Sequence, residues 1–149
     1  MRKHALMLLT ALLLLCLATG AGAEAANADM IERYLGSWVS DEYRLYIRLE
    51  DEEIYSRLTQ SEGDYAWEFD RCWYDAEEDR LYGDTCVRYR EYIDWDTMEL
   101  VQDDWSLSDM LFTYFTFGED EDTLLAFDIP HIDEPLTFRR VIDEEYFGF

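Results

Sequence analysis

Tyr43-Arg44-Leu45-Tyr46-Ile47-Arg48-Leu49-Glu50 decides the fold. Tyr43, Leu45, Ile47 and Leu49 share one face of an extended chain, and Arg44, Tyr46, Arg48 and Glu50 share the other. A period of two with one apolar side belongs to a half-buried strand. Asp51-Glu52 turns the chain, and Glu53 to Gln60 repeats the pattern with Ile54, Ser56 and Leu58 on one side. Ser61-Glu62-Gly63-Asp64 is a strong turn signal.

Downstream the same period continues. Tyr65 to Tyr74 puts Tyr65, Trp67, Phe69 and Trp73 on one face. After Asp75 to Asp79, Arg80 to Trp95 reads as one long strand or two shorter ones, and Met98 to Trp105 as a weaker one. Met110 to Phe117 is strongly β in propensity. Leu124 to Ile129 and Leu136 to Ile142 complete the series, separated by a Pro-flanked loop. Upstream, Gly36 ends a short helix expected over Ala25 to Leu35, capped by Asn27 or Asp29. The expected fold is all-β: an antiparallel up-and-down barrel of about eight strands with a short N-terminal helix, or else a β-sandwich. Inward candidates are Trp67, Phe69, Trp73, Phe112, Tyr114 and Phe127, bulky enough to fill an eight-stranded barrel.

The N-terminus reads as a secretory signal. Arg2-Lys3-His4 precedes the apolar run Ala5 to Ala18, and Ala21-Gly22-Ala23 supplies the small residues of a cleavage site. The expected divisions are a signal peptide at 1–23, a single domain at 24–142 and a tail at 143–149. The expected location is secreted or extracytoplasmic, with no membrane insertion after cleavage. Leu15 before Cys16 does not fit a lipidation motif.

The chain carries 12 basic and 35 acidic residues, a formal charge of −23. Cleavage removes two of the basic residues and no acid, which deepens the excess. That field repels phosphate backbones and anionic lipid surfaces, so nucleic acid is not an expected partner. Every Trp, Tyr and Phe lies beyond residue 23, ample buriable area for a folded domain. Lysine is absent there, and the ten arginines alternate with aromatics in the strands, where they can pair across strands and stack on rings.

Catalytic and metal chemistry find little to use. His131 stands in a loop with no serine partner, no Gly-rich phosphate loop occurs, and the acid runs at 50–53 and 119–122 lack the spacing of a calcium loop. No enzyme activity, cofactor or metal is expected, and the expected assembly is a monomer.

Two cysteines remain after cleavage, Cys72 and Cys86. In an oxidising compartment a bridge is favoured; it would close a loop of about 15 residues and stabilise by ~3 kcal/mol. The alternative is two buried thiols. By alternation both sulfurs fall on the face opposite Trp67 and Phe69, outside one hairpin.

A helix, then Gly36-Ser37-Trp38 opening the first strand, a β meander, and Arg139-Arg140 on the last strand resemble the lipocalin-like (calycin) barrels. Trp67-Glu68-Phe69 and Cys72-Trp73-Tyr74-Asp75 resemble the small secreted lipocalin-like domains of anaerobic gut bacteria. The resemblance implies a structural pair in which Arg140 packs over Trp38, a cation–π contact worth roughly 0.5–2 kcal/mol. It also implies a binding or structural role, with Leu45, Ile47 and Leu58 as candidates to line a small-ligand cavity. The Thr-Asp-Tyr signature of classical lipocalins is absent. A second expectation is a glycan- or protein-binding surface using the outward tyrosines Tyr46, Tyr55, Tyr74 and Tyr82. A third is a small enzyme or enzyme inhibitor.

Overall fold

The computed structural model describes residues 27–83, 85–108 and 113–142. The signal segment at 1–23, the tail at 143–149 and Phe112 lie outside the described residues. Residues 1–33 and 34–149 form two units. In the first, residues 27–32 make one short helix, α1. The second contains, among its described residues, ten strands: β1 (Gly36–Val39), β2 (Tyr43–Glu50), β3 (Glu53–Gln60), β4 (Tyr65–Asp75), β5 (Arg80–Gly83), β6 (Thr85–Asp94), β7 (Glu99–Ser108), β8 (Thr113–Phe117), β9 (Thr123–Phe127) and β10 (Leu136–Arg140).

Eight of these close into an antiparallel barrel in the order β1-β2-β3-β4-β5-β8-β9-β10, with β10 returning to β1. Closure satisfies both sides of every barrel strand and excludes the two-sheet sandwich. The remaining two strands form a hairpin inserted into the meander: β6 pairs with β4 beyond the end of β5, and β7 pairs with β6.

The β2–β3 hairpin shows how local sequence fixes register. Its ladder runs from Tyr43↔Gln60 to Glu50↔Glu53 around the two-residue loop Asp51-Glu52. Both loop residues have positive φ, 49° and 68°. A two-residue hairpin loop of this hand favours Asn-Gly, because a Cβ is costly there. Replacing Asp51-Glu52 by Asn-Gly is expected to stabilise the protein by on the order of 1 kcal/mol. A urea midpoint that falls instead would contradict the turn assignment.

Side chains fill the barrel. Leu45, Ile47, Leu58, Trp67, Phe69, Leu81, Phe115, Leu124 and Phe138 are all buried. At one end the Tyr34 ring lies 4.5 Å from Phe117 and 6.0 Å from Tyr74. The Tyr34 hydroxyl donates to the Asp79 carbonyl at 2.9 Å. At the other end Trp67 donates from Nε1 to the Pro130 carbonyl at 2.9 Å, with Tyr43 edge-on to it at 6.1 Å.

One irregularity in β4 corrects several expectations. Ser56 pairs with Phe69 but Ile54 with Cys72, so β4 carries one extra residue, and Arg71 there has φ 54°. Such a bulge reverses the alternation beyond it. Trp73, expected inside, stands outside, and its ring stacks on Tyr82 at 5.3 Å. Tyr74, expected outside, turns inward toward Tyr34. Tyr114 and Phe127, also expected inside, stack on each other outside at 4.8 Å, because Phe115 and Ala126 take the inward positions. Trp73, Tyr82, Tyr114 and Phe127 thus form an external ladder across four strands, with Arg80 4.6 Å over Tyr114. Cross-strand rings of this kind stabilise a sheet from outside.

The bulge also corrects Cys72, and direct pairing with inward Phe69 corrects Cys86. Cys72 and Cys86 are both buried, not external, and neither is in a disulfide. Cys72 Sγ lies 3.5 Å from Ser56 Oγ and donates to the Phe69 carbonyl at 3.6 Å. Cys86 sits opposite Phe69, and burial pushes its thiol up to about 12. Well below pH 9 that thiol is protonated whether the chain is folded or not. Above pH 9 the unfolded thiol ionises first, so stability falls as pH rises toward 12. Cys86→Ala is expected to reduce this alkaline loss in urea titrations at pH 8 and 10.5. An unchanged loss in the variant would contradict it.

Candidate functional site

The outer faces of β2, β3, β4 and β6 carry a continuous grid of rings and charges. Register places Tyr46 beside Arg57, Arg48 beside Tyr55, and Arg44 beside Thr59. The Tyr46–Arg57 row continues through Glu68, Val87 and Leu107, crossing five strands. The β6–β7 hairpin carries this surface beyond the barrel, and Ile93, Trp95 and Leu100 face the grid across a groove of about 1510 Å³.

A polar network holds the groove open at its centre. Arg57 makes an ion pair with Glu91 of β6, and its Nε lies 3.6 Å from Glu68 Oε1 of β4. The same Glu68 oxygen accepts a hydrogen bond from the Tyr89 hydroxyl at 2.7 Å. Burial first, and this bond second, raise the Tyr89 pKa, so the phenol stays a donor. Trp105 of β7 stacks on the Tyr89 ring at 4.6 Å and 26°. Two strands of the floor, β3 and β4, and both strands of the hairpin are therefore tied together by Arg57, Glu68, Tyr89, Glu91 and Trp105.

Around the network the groove offers flat rings and paired polar groups. Tyr46 and Tyr55 stand on the floor, and Tyr65, Tyr92 and Trp95 border it. Arg44, Arg48 and Arg57 supply donors; Asp64, Glu68, Asp70 and Glu91 supply acceptors. Arg48 lies 5.9 Å from the Tyr55 ring centroid and pairs with Glu50 at 3.1 Å. The Tyr55 hydroxyl donates to Glu53 at 2.6 Å, a bond that raises its pKa. This is stacking and hydrogen-bonding chemistry. Cys72, Cys86 and His131 do not line the groove. Among the described residues no cluster of His, Cys, Asp and Glu has the geometry of a metal site, and no helix is long and apolar enough to cross a membrane.

Of the outward tyrosines read from the sequence, Tyr46 and Tyr55 meet in this groove, and Leu45 and Phe69, each 1% exposed, reach its lining. Tyr82 belongs to the external ladder and Tyr74 to the Tyr34 end. Leu45, Ile47 and Leu58 are each 1% exposed, packed in the core. Trp38 is fully buried, donates from Nε1 to the Tyr34 carbonyl at 3.0 Å, and lies under Arg140 at 4.1 Å. Arg140 Nη1 also donates to the Leu35 carbonyl at 3.1 Å. The sequence reading missed Ile93, Trp95 and Leu100. Their signal was large apolar residues flanking the turn at 95–98, where polar residues are usual.

Comparison of the chain with family models, with curated proteins and with solved structures finds no match.

Proposed function

We propose that this protein is an exported, non-catalytic binding module on a lipocalin-like barrel, and that it holds its ligand outside the barrel, in the groove beneath the β6–β7 hairpin. One contrast carries the reading. The residues that would line an internal cavity are closed away, Leu45, Ile47 and Leu58 at 1% exposure, whereas Tyr46 stands 50% and Trp95 77% exposed across the groove. Rings beside mixed donors and acceptors fit a neutral sugar chain or a peptide. Gly36-Ser37-Trp38 opening β1 and Arg140 over Trp38 support the lipocalin-like kinship. The basic, apolar and small-residue segments of 1–23 support export, with the mature chain starting at Glu24.

The test is a screen of displayed peptides and neutral oligosaccharides against the protein and against its Tyr46→Ser/Tyr55→Ser variant. Ligands of the protein are expected to bind the variant at least about tenfold more weakly. Ligands that bind both equally and are displaced by oleate would move the site into the barrel and overturn the reading.

A further inference from the structure

We infer that β7 is an acceptor edge for a basic extended segment of a partner protein, which joins the sheet as one more strand. This rests on the outer-face reading and names the partner it takes. Among the described residues β7 is hydrogen-bonded on its β6 side alone. Its ten residues present a second row of backbone donors and acceptors, roughly 33 Å long. Protein edges are commonly protected by lysine, proline, short length or a bulge. This edge has no lysine or proline, is among the longer strands of the molecule, and is regular from Glu99 to Asp103 before its one bulge, at Asp104.

The side chains along the edge specify what pairs with it. Leu100 and Gln102 face the groove, and the bulge at Asp104, φ 55°, returns Trp105 and Leu107 to that same face. Leu100, Trp105 and Leu107 are exposed there, continuous with Ile93, Trp95 and Met98 of the same hairpin. Those six are most of the large apolar side chains exposed among the described residues. A patch of this kind on an otherwise charged surface marks an interaction site. The opposite face carries Glu99, with Asp94 across the ladder, and Asp103, with Arg90 across it and the Tyr92 hydroxyl donating to it. A strand laid against β7 therefore needs apolar side chains on one face and cationic ones on the other. The chain's charge of −23 draws such a segment in. The same charge opposes a second copy: β7 paired antiparallel with itself brings Asp103 and Asp104 against their own counterparts.

The probe is a ten-residue Lys-Leu alternating peptide, with a Glu-Leu peptide as control, read by amide hydrogen exchange and by tryptophan fluorescence. The Lys-Leu peptide is expected to bind and to slow exchange at residues 99–108, and the control to do neither. Affinity is expected to fall between 50 and 500 mM salt, and at least about tenfold in the Glu99→Gln/Asp103→Asn/Asp104→Asn variant. Absence of binding by the Lys-Leu peptide overturns the inference. So does binding that protects only the Tyr46–Tyr55 floor, or protection of that floor by cellohexaose alone, and either result leaves the outer-face reading standing. A sedimentation dimer with β7 protected before any peptide is added gives the edge to a second copy and overturns the inference. Protection by no ligand anywhere on the outer face, with oleate bound inside, defeats both.

Discussion

Replacing Trp38 by alanine is expected to cost about 3–5 kcal/mol, as large aromatic truncations in cores do. Trp38 is fully buried and paired on both sides, with Leu45 on β2 and Arg140 on β10, at the place where the last strand meets the first. Truncation removes the ring from beneath the Arg140 guanidinium, 4.1 Å away, and from Phe117, 6.1 Å away. It also leaves the Tyr34 carbonyl without its indole donor. Domains of this size have about 5–15 kcal/mol in all, so the variant approaches the limit of folding. Trp38→Phe keeps most of the ring and loses the hydrogen bond, and a smaller cost of about 1–3 kcal/mol is expected. Urea unfolding followed by near-ultraviolet circular dichroism measures both. A Trp38→Ala variant within 1 kcal/mol of the parent would show that barrel closure does not depend on this contact.

Gly83→Ala should destabilise by about 1–3 kcal/mol, although only a methyl group is added. A Cβ at Gly83 would lie 2.9 Å from Phe69 Cδ1 and 3.2 Å from Phe69 Cβ. Gly83 is thus kept for space and not for an unusual backbone angle. Phe69 is 1% exposed and lies edge-on to Phe115 at 5.9 Å, so the core resists its displacement. Phe69→Leu alone leaves a gap, and combined with Gly83→Ala it should recover part of the loss. A double-mutant cycle in urea reads the coupling, and strictly additive effects would contradict a steric cause.

What could be read from the sequence follows from where alternation was unbroken. In β2 every second residue is apolar and in β3 Ile54 and Leu58 keep the period around buried Ser56, and the barrel, the hairpin and the outward placement of Tyr46 and Tyr55 all follow. Alternation failed where one residue was inserted. Asp70-Arg71 carries no glycine or proline to mark the bulge, so Cys72, Trp73 and Tyr74 were read on the wrong faces. It was also uninformative where both faces are apolar. In Thr113-Tyr114-Phe115-Thr116-Phe117 either set could have been internal, and small Thr113 with Phe115 suits the filled interior while Tyr114 gains by stacking outside. The groove was half legible. Its floor comes from regular strands, but its other wall depends on β6 continuing past β5 along β4, a pairing choice that no local pattern encodes.

Xenon added during methyl NMR tests most directly whether this is a filled barrel that works from its outer surface, because xenon occupies apolar cavities that water avoids. With the interior closed, the methyl signals of Ile47 and Leu58 stay in place under xenon pressure, while those of Ile93 and Leu100 at the groove move. Saturable shifts at the two interior residues would reveal an open cavity and return the ligand site to the inside of the barrel.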